Sequence, residues 1–402
     1  MAKVACPYCY QRIDGAALWF QCLGRGDADH DGCRKRVDDA RRRMTGFKEP
    51  VLPTFPPPRS QRVRPVRLAW CPDCRGRTGV RACPECHTPL PPNFGDSFSP
   101  MIAMFGGKGT GKSVYLTVLA KELRSAHLRR RFGADIRMTG DRQGGFESSR
   151  EWLAENVERM FTEHKLLEAT PQSVDGRREP LVFEWRGERR RWGRTSYRTS
   201  YLSFHDTAGE DVGTLSGAQD LAYIGAADGL ILLLDPFMLP DARERLRLPA
   251  SAIRSTEETM AVVDRLTQSL RASNGVGGSD RISKPVAVAF AKMDAFFDVL
   301  GRDHPLCQEP RRAPLYDERL GRATHEQVAA LLDKWQGGDI EQHLRQNYRT
   351  FRYFFVSALG APPDYDNALV EGGGVSPYRV DEPLLWLLSL RRFGVVPCGR
   401  AE

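Results

Sequence analysis

From about residue 100 onward, short continuous apolar runs alternate with amphipathic stretches of helical period. That is the pattern of strands buried on both faces and joined by crossover helices. MIAMFG (101–106) reads as a strand and KSVYLTVLAKELRSAHL (112–128) as the helix after it. LVFEWRG (181–187) and SYLSFHD (200–206) read as a strand pair. GLILLLD (229–235), PVAVAFAKMD (285–294) and FRYFFVSALG (351–360) read as further strands. Helices are expected near 254–272 and 322–335, and DEPLLWLLSLRR (381–392) as the closing helix. The predicted fold class is α/β with a mostly parallel sheet. Residues 129–180 and 295–320 carry no clear period.

The first hundred residues lack this alternation, and four segments are predicted: an N-terminal zinc-binding module (1–48), a Pro/Arg-rich linker (49–66), a four-cysteine zinc ribbon (67–95) and the α/β domain (96–402). Eight of the ten cysteines precede residue 87, and six of them form CxxC pairs. In a reducing compartment that usage points to metal. CPDC and CPEC give CxxC-x8-CxxC through Cys71, Cys74, Cys83 and Cys86, two tight knuckles able to present four thiolates to Zn²⁺. Cys6, Cys9, Cys22 and Cys33 form a looser second set, in which His30 could replace Cys33. Spacing leaves open whether ligands are shared between the two segments. Both sites look closed and therefore structural. Cys307 and Cys398 read as ordinary thiols.

Composition, 41% hydrophobic and 27% charged, describes a soluble globular protein. The start, MAKVACPYCY, has no apolar leader, and the greasiest runs are too short to span a bilayer, so a cytoplasmic protein without membrane insertion is expected. Residues 1–99 hold 17 Lys plus Arg against 10 Asp plus Glu, a net +7 within a total of +8. This invites a nucleic-acid reading, with RSQRVRPVR (59–67) gripping phosphates. Eight zinc-bound thiolates offset much of that charge. Arginine outnumbers lysine 49 to 10, as a GC-rich genome would produce.

GGKGTGKS (106–113) satisfies GxxxxGK[ST] between a predicted strand and a predicted helix. Gly106, Gly107, Lys108, Gly109, Thr110 and Gly111 would wrap phosphate oxygens, Lys112 would reach the β and γ phosphates, and Ser113 would hold Mg²⁺. The bland alternative for Lys108 is a solvated loop lysine. Three further motifs follow in order: HDTAGE (205–210), FAKMD (290–294) and SAL (357–359). Asp206 could hold Mg²⁺ through water, Gly209 could sense a γ phosphate, and Asp294 could accept from a guanine edge with Lys292 along the base. Ser357 and Ala358 would place backbone N–H groups at the guanine oxygen.

With GGKGTGKS, DTAGE, AKMD and SAL in this order, residues 100–392 resemble the Ras-like P-loop GTPase superfamily. The zinc-binding front end, the insertion before the second strand and the PLLWLL terminus resemble the bacterial double-GTPase family of conflict and defence gene clusters. The resemblance implies GTP/GDP and Mg²⁺ as ligands, and a slow, partner-stimulated GTP hydrolase. Lys112, Glu210 and Thr170 are its catalytic candidates, with Thr139 the second choice for the switch threonine. Two departures matter. Glu210 stands where such switches carry a glutamine, placing negative charge beside an anionic phosphate. Ala291 stands where they carry Asn or Thr, removing a side-chain tie to the phosphate loop. The expected function is a GTP-binding switch whose zinc ribbons and switch regions dock protein partners. The alternatives are a nucleic-acid adapter regulated by the NTP-binding domain, and an ATPase.

Overall fold

Strands with no polar face settle in the middle of a sheet covered on both sides, and MIAMF, GLILLL and VAVAF do so, while FRYFF lies at the sheet's edge. The computed structural model describes residues 3–57, 67–139, 149–168, 180–191, 194–205, 218–246, 248–253, 257–308 and 316–390. From residue 101 the described elements are β1 (Met101–Phe105), α1 (Lys112–Arg124), α2 (Ala126–Phe132), β2 (Ala134–Thr139), α3 (Ser149–Val157), β3 (Leu181–Arg191), β4 (Arg194–His205), α4 (Ala218–Ala226), β5 (Gly229–Leu234), α5 (Thr259–Asn274), β6 (Val286–Phe290), α6 (Glu318–Lys334), α7 (Gly338–Asn347), β7 (Phe351–Phe355) and α8 (Glu382–Leu390). The chain is a mixed α/β protein and divides into two compact units.

The larger unit comprises 102–133, 153–172 and 206–402. Its strands β1, β5, β6 and β7 lie side by side in that order, all parallel. Every residue of β1, β5 and β6 is buried. Pairing sets Phe105 against Leu232, Leu234 against Phe290 and Phe290 against Phe355. The C-terminal ends of β5, β6 and β7 are therefore level, β1 ends two residues short of β5, and the loops after all four leave from one edge. The helix expected over 112–128 divides at Ser125. That residue adopts an extended conformation, and its hydroxyl accepts from the Leu128 N–H at 3.2 Å, capping α2. Ser125→Ala should lower unfolding free energy by about 1 kcal/mol in denaturant titration, with nucleotide affinity unchanged.

The smaller unit comprises 1–101, 134–152 and 173–205. Strands β2, β3 and β4 pair antiparallel within it, β3 and β4 forming a long hairpin. Residues Trp19–Gln21 occupy an inner position in a small sheet, between Thr54–Phe55 and Arg81–Ala82, with Pro89–Leu90 beyond. This sheet draws the two cysteine-bearing stretches together. Val4, Tyr8, Ile13, Leu18, Phe47, Leu90 and Phe94 share one core with Val182 of β3 and Tyr201 of β4. The boundaries expected at 48, 66 and 95 do not coincide with the two units. The described residues contain no helix long and apolar enough to cross a membrane.

Candidate nucleotide site and metal centres

The loop between β1 and α1 is glycine-rich for steric reasons. A Cβ on Gly106 would lie 2.6 Å from the Leu233 carbonyl oxygen, while Gly109 and Gly111 hold φ of +76° and +90°. Gly111 caps α1 without a side chain, which leaves the first N–H groups of the helix directed along its axis. Lys112, 7% exposed, folds back so that Nζ donates to the carbonyls of Gly106 and Gly107, both at 2.9 Å. The Thr110 hydroxyl donates to the Gly107 carbonyl at 3.0 Å. The ammonium is thus held by carbonyl oxygens, beside a helix N-terminus whose free N–H groups could hold an anion. Ser113 begins the helix half-buried, where a hydroxyl could ligate Mg²⁺, and Lys108 is exposed.

The loops after β6 and β7 meet. The Ser357 hydroxyl donates to Asp294 Oδ1 at 2.5 Å and accepts from the Gly360 N–H at 2.7 Å. Asp294 is 5% exposed, and burial pushes its carboxyl up, partly offset by the Ser357 bond. The AKMD and SAL motifs thus converge on one oriented carboxylate, with half-buried Ala358 next in the chain. Lys292 does not extend freely from its loop. In a left-handed conformation, φ +56°, it pairs with Asp235 at 2.6 Å and lies 5.1 Å from the Phe237 ring centre. Asp235, 3% exposed at the end of β5, also accepts from the Phe237 N–H at 3.0 Å. Ala291 offers no side-chain bond, so an ion pair secures this loop to its neighbour after β5.

Asp206, Gly209, Glu210 and Thr170 lie outside the described residues. Thr139 is the last residue of β2, opposite Val182. His205, just ahead of Asp206, is held by the first cysteine knuckle. Its Nε2 donates to the Pro7 carbonyl at 2.9 Å, so Nδ1 is the acceptor for the Tyr10 hydroxyl at 3.3 Å.

The metal centres correct the cysteine grouping drawn from spacing. Cys6 and Cys9 gather with Cys83 and Cys86, and Cys22 and Cys33 with Cys71 and Cys74. Each site takes ligands from both segments, because the pairing of Trp19–Gln21 with Arg81–Ala82 lays the stretches across one another. Sulfurs sit 3.8 Å apart for Cys6–Cys86, Cys9–Cys83 and Cys33–Cys71, and 3.4 Å for Cys22–Cys74. A zinc tetrahedron with 2.3 Å bonds has edges of about 3.8 Å. The donor sets fit Zn²⁺. Tyr10, Arg75 and His87, each following a CxxC pair, adopt positive φ, which curls the knuckle. Backbone N–H groups of Gly24 and Glu85 point at the sulfurs of Cys22 and Cys83, at 3.2 and 3.4 Å. His30 is no ligand; its ring bonds Asp27 at 2.8 Å.

Sequence reasoning misses three residues. Asp235 carries a signal, an acid ending the buried run GLILLL. Glu257 and Arg265 carry none, being distant in sequence from the phosphate loop that Glu257 contacts. Glu257 Oε2 lies so close to Gly107 that a Cβ there would come within 2.9 Å of it, and the Arg265 guanidinium grips the carboxylate through two bonds of 2.8 Å.

No protein-family model matches the chain. The chain is similar to the "Putative ESX-1 scaffolding and assembly protein SaeC" of Mycolicibacterium smegmatis, at 29% identity across 88% of this chain and 87% of that protein. That name does not place the relative in the double-GTPase family. Among solved structures, the signal recognition particle receptor SRb-GTP/SRX complex of Chaetomium thermophilum aligns at 13% identity, 66% of this chain and 94% of that one, TM-score 0.27. The LeoA bacterial dynamin GTPase from ETEC aligns at 13%, 74% and 39%, TM-score 0.29. Those scores are too low to assign a fold alone. It is the adjacent parallel strand ends and the geometry of the 106–113 loop that characterise the site.

Proposed function

We propose that the chain is a guanine-nucleotide-binding switch with slow intrinsic hydrolysis, built on a zinc-stabilised platform that docks protein partners. One observation carries the reading. The phosphate loop, the Asp235–Lys292 pair and the Asp294–Ser357 pair all follow the C-terminal ends of adjacent parallel strands, where open α/β sheets bind ligands. Lys112 and Ser113 are assigned to triphosphate and Mg²⁺, and Asp294 to the base. Bound Mg²⁺ would neutralise phosphate charge. The chain's own residues position the ligand and exclude water. Asp206, Gly209, Glu210 and Thr170 remain assigned from sequence to metal, γ phosphate and the attacking water. The name of the relative favours a role in ESX-1 scaffolding and assembly, which would make nucleotide state the signal and the surface of the smaller unit the contact.

Calorimetry on the full, zinc-loaded chain with Mg²⁺ tests this. GTP and GDP should bind at least about tenfold more tightly than ATP, a difference of roughly 1.4 kcal/mol, and Asp294→Ala should erase that preference while leaving phosphate-dependent binding. Absence of guanine-nucleotide uptake by the wild type would falsify the proposal.

A further inference from the structure

Glu257 has no role in the site as described, yet it occupies the phosphate loop. It lies two residues ahead of α5, and Arg265, on the second turn of that helix, turns back to hold it in a bidentate pair at 2.8 Å. The backbone N–H of Lys108 and the Lys112 charge both favour its ionised form. Oε2 presses so closely on Gly107 that a Cβ added there would come within 2.9 Å of it. The Arg265 fork holds the carboxyl below its usual range, so the group is ionised at neutral pH.

We propose that Glu257 is an autoinhibitory carboxylate, a tethered anion that holds the loop in place of phosphate and that incoming nucleotide must displace. This rests on reading residues 106–113 as the nucleotide site. A phosphate oxygen brought beside an undisplaced carboxylate would face uncompensated like charge in a partly dry pocket. Arg265 sets the strength of the device. It anchors the carboxylate over the loop from outside, and a partner that took over its guanidinium would release Glu257 and raise nucleotide affinity with no contact to the nucleotide itself. The competitor is part of the chain, so its local concentration is fixed, and the loss of affinity is set by the fraction of molecules in the occluded arrangement.

The test is binding of fluorescent GDP and GTP to the full, zinc-loaded chain, by equilibrium titration and stopped flow, for wild type, Glu257→Ala, Glu257→Gln, Arg265→Gln and Lys112→Ala. With about nine-tenths of the wild type occluded, Glu257→Ala and Arg265→Gln should each bind about tenfold more tightly, through faster association. Glu257→Gln, which loses the charge but keeps an acceptor, should fall between. Unchanged or weaker binding in Glu257→Ala, with wild type binding in a Lys112-dependent way, overturns the autoinhibitory role and leaves the nucleotide site standing. If neither wild type nor Glu257→Ala binds, the nucleotide reading itself has failed and this inference with it.

Discussion

Serine substitutions made in pairs should count the metal sites and settle their connectivity. The double variant Cys9→Ser, Cys83→Ser should retain one zinc per chain, and Cys71→Ser, Cys83→Ser should retain none. Grouping by sequence proximity gives the reverse: 71 with 83 would damage one site, 9 with 83 both. The structure places Cys9 and Cys83 at one site and Cys71 at the other, so elemental analysis of the purified variants separates the two arrangements. The stability effect should be large. A structural zinc site contributes binding energy on the order of 10 kcal/mol to folding. Moreover, each ion joins distant segments, Cys33 and Cys71 being 38 residues apart and Cys6 and Cys86 80. The first site lies in the core that also contains Val182 and Tyr201, so its loss should loosen the β3–β4 hairpin with it. Chelation of the wild type should cause cooperative loss of near-ultraviolet dichroism from this unit; a protein that keeps its tertiary signal without metal would contradict a structural role.

That crossing marks where sequence stops being informative. The runs MIAMF, GLILLL and VAVAF declare themselves because burial on both faces demands unbroken apolar residues, a constraint each segment carries alone. GGKGTGKS is legible for the same reason: strand, turn and helix are contiguous. Strand β2 is hidden in ADIRMT, where only alternate residues are fully buried and Asp135, Arg137 and Thr139 break the apolar run. Helix α7 buries only Ile340 and Leu344, too little for a conspicuous helical stripe. Zinc connectivity depends on which short strands pair, Trp19–Gln21 with Arg81–Ala82, and two-residue ladders leave almost no pattern. Asp294 and Ser357 are each legible in their motifs, but their hydrogen bond follows from the adjacency of β6 and β7. The Lys292–Asp235 pair depends in the same way on β5 lying beside β6, and Glu257 on a loop that returns to residues 107 and 108.

Lys112→Ala should abolish measurable nucleotide binding, a loss of at least about a hundredfold, or roughly 2.7 kcal/mol. Each hydrogen bond from a charged group contributes about 1.5–3 kcal/mol, and this ammonium is placed to make more than one to a polyphosphate. The substitution also removes the clasp by which Nζ joins the carbonyls of Gly106 and Gly107, so the loop should lose its shape as well as its charge. Thermal unfolding with and without ligand separates these contributions. Wild type in GTP at about 100 times its Kd should gain about 2.7 kcal/mol, and Lys112→Ala none. Any drop in the ligand-free midpoint of Lys112→Ala measures the clasp alone. Lys112→Arg keeps the charge but brings a planar fork that cannot bind two carbonyls from inside so tight a ring, and it should fail to bind as well. Retention of wild-type affinity by either variant would remove the phosphate loop from the binding mechanism, since no other described lysine sits at the N-terminus of α1.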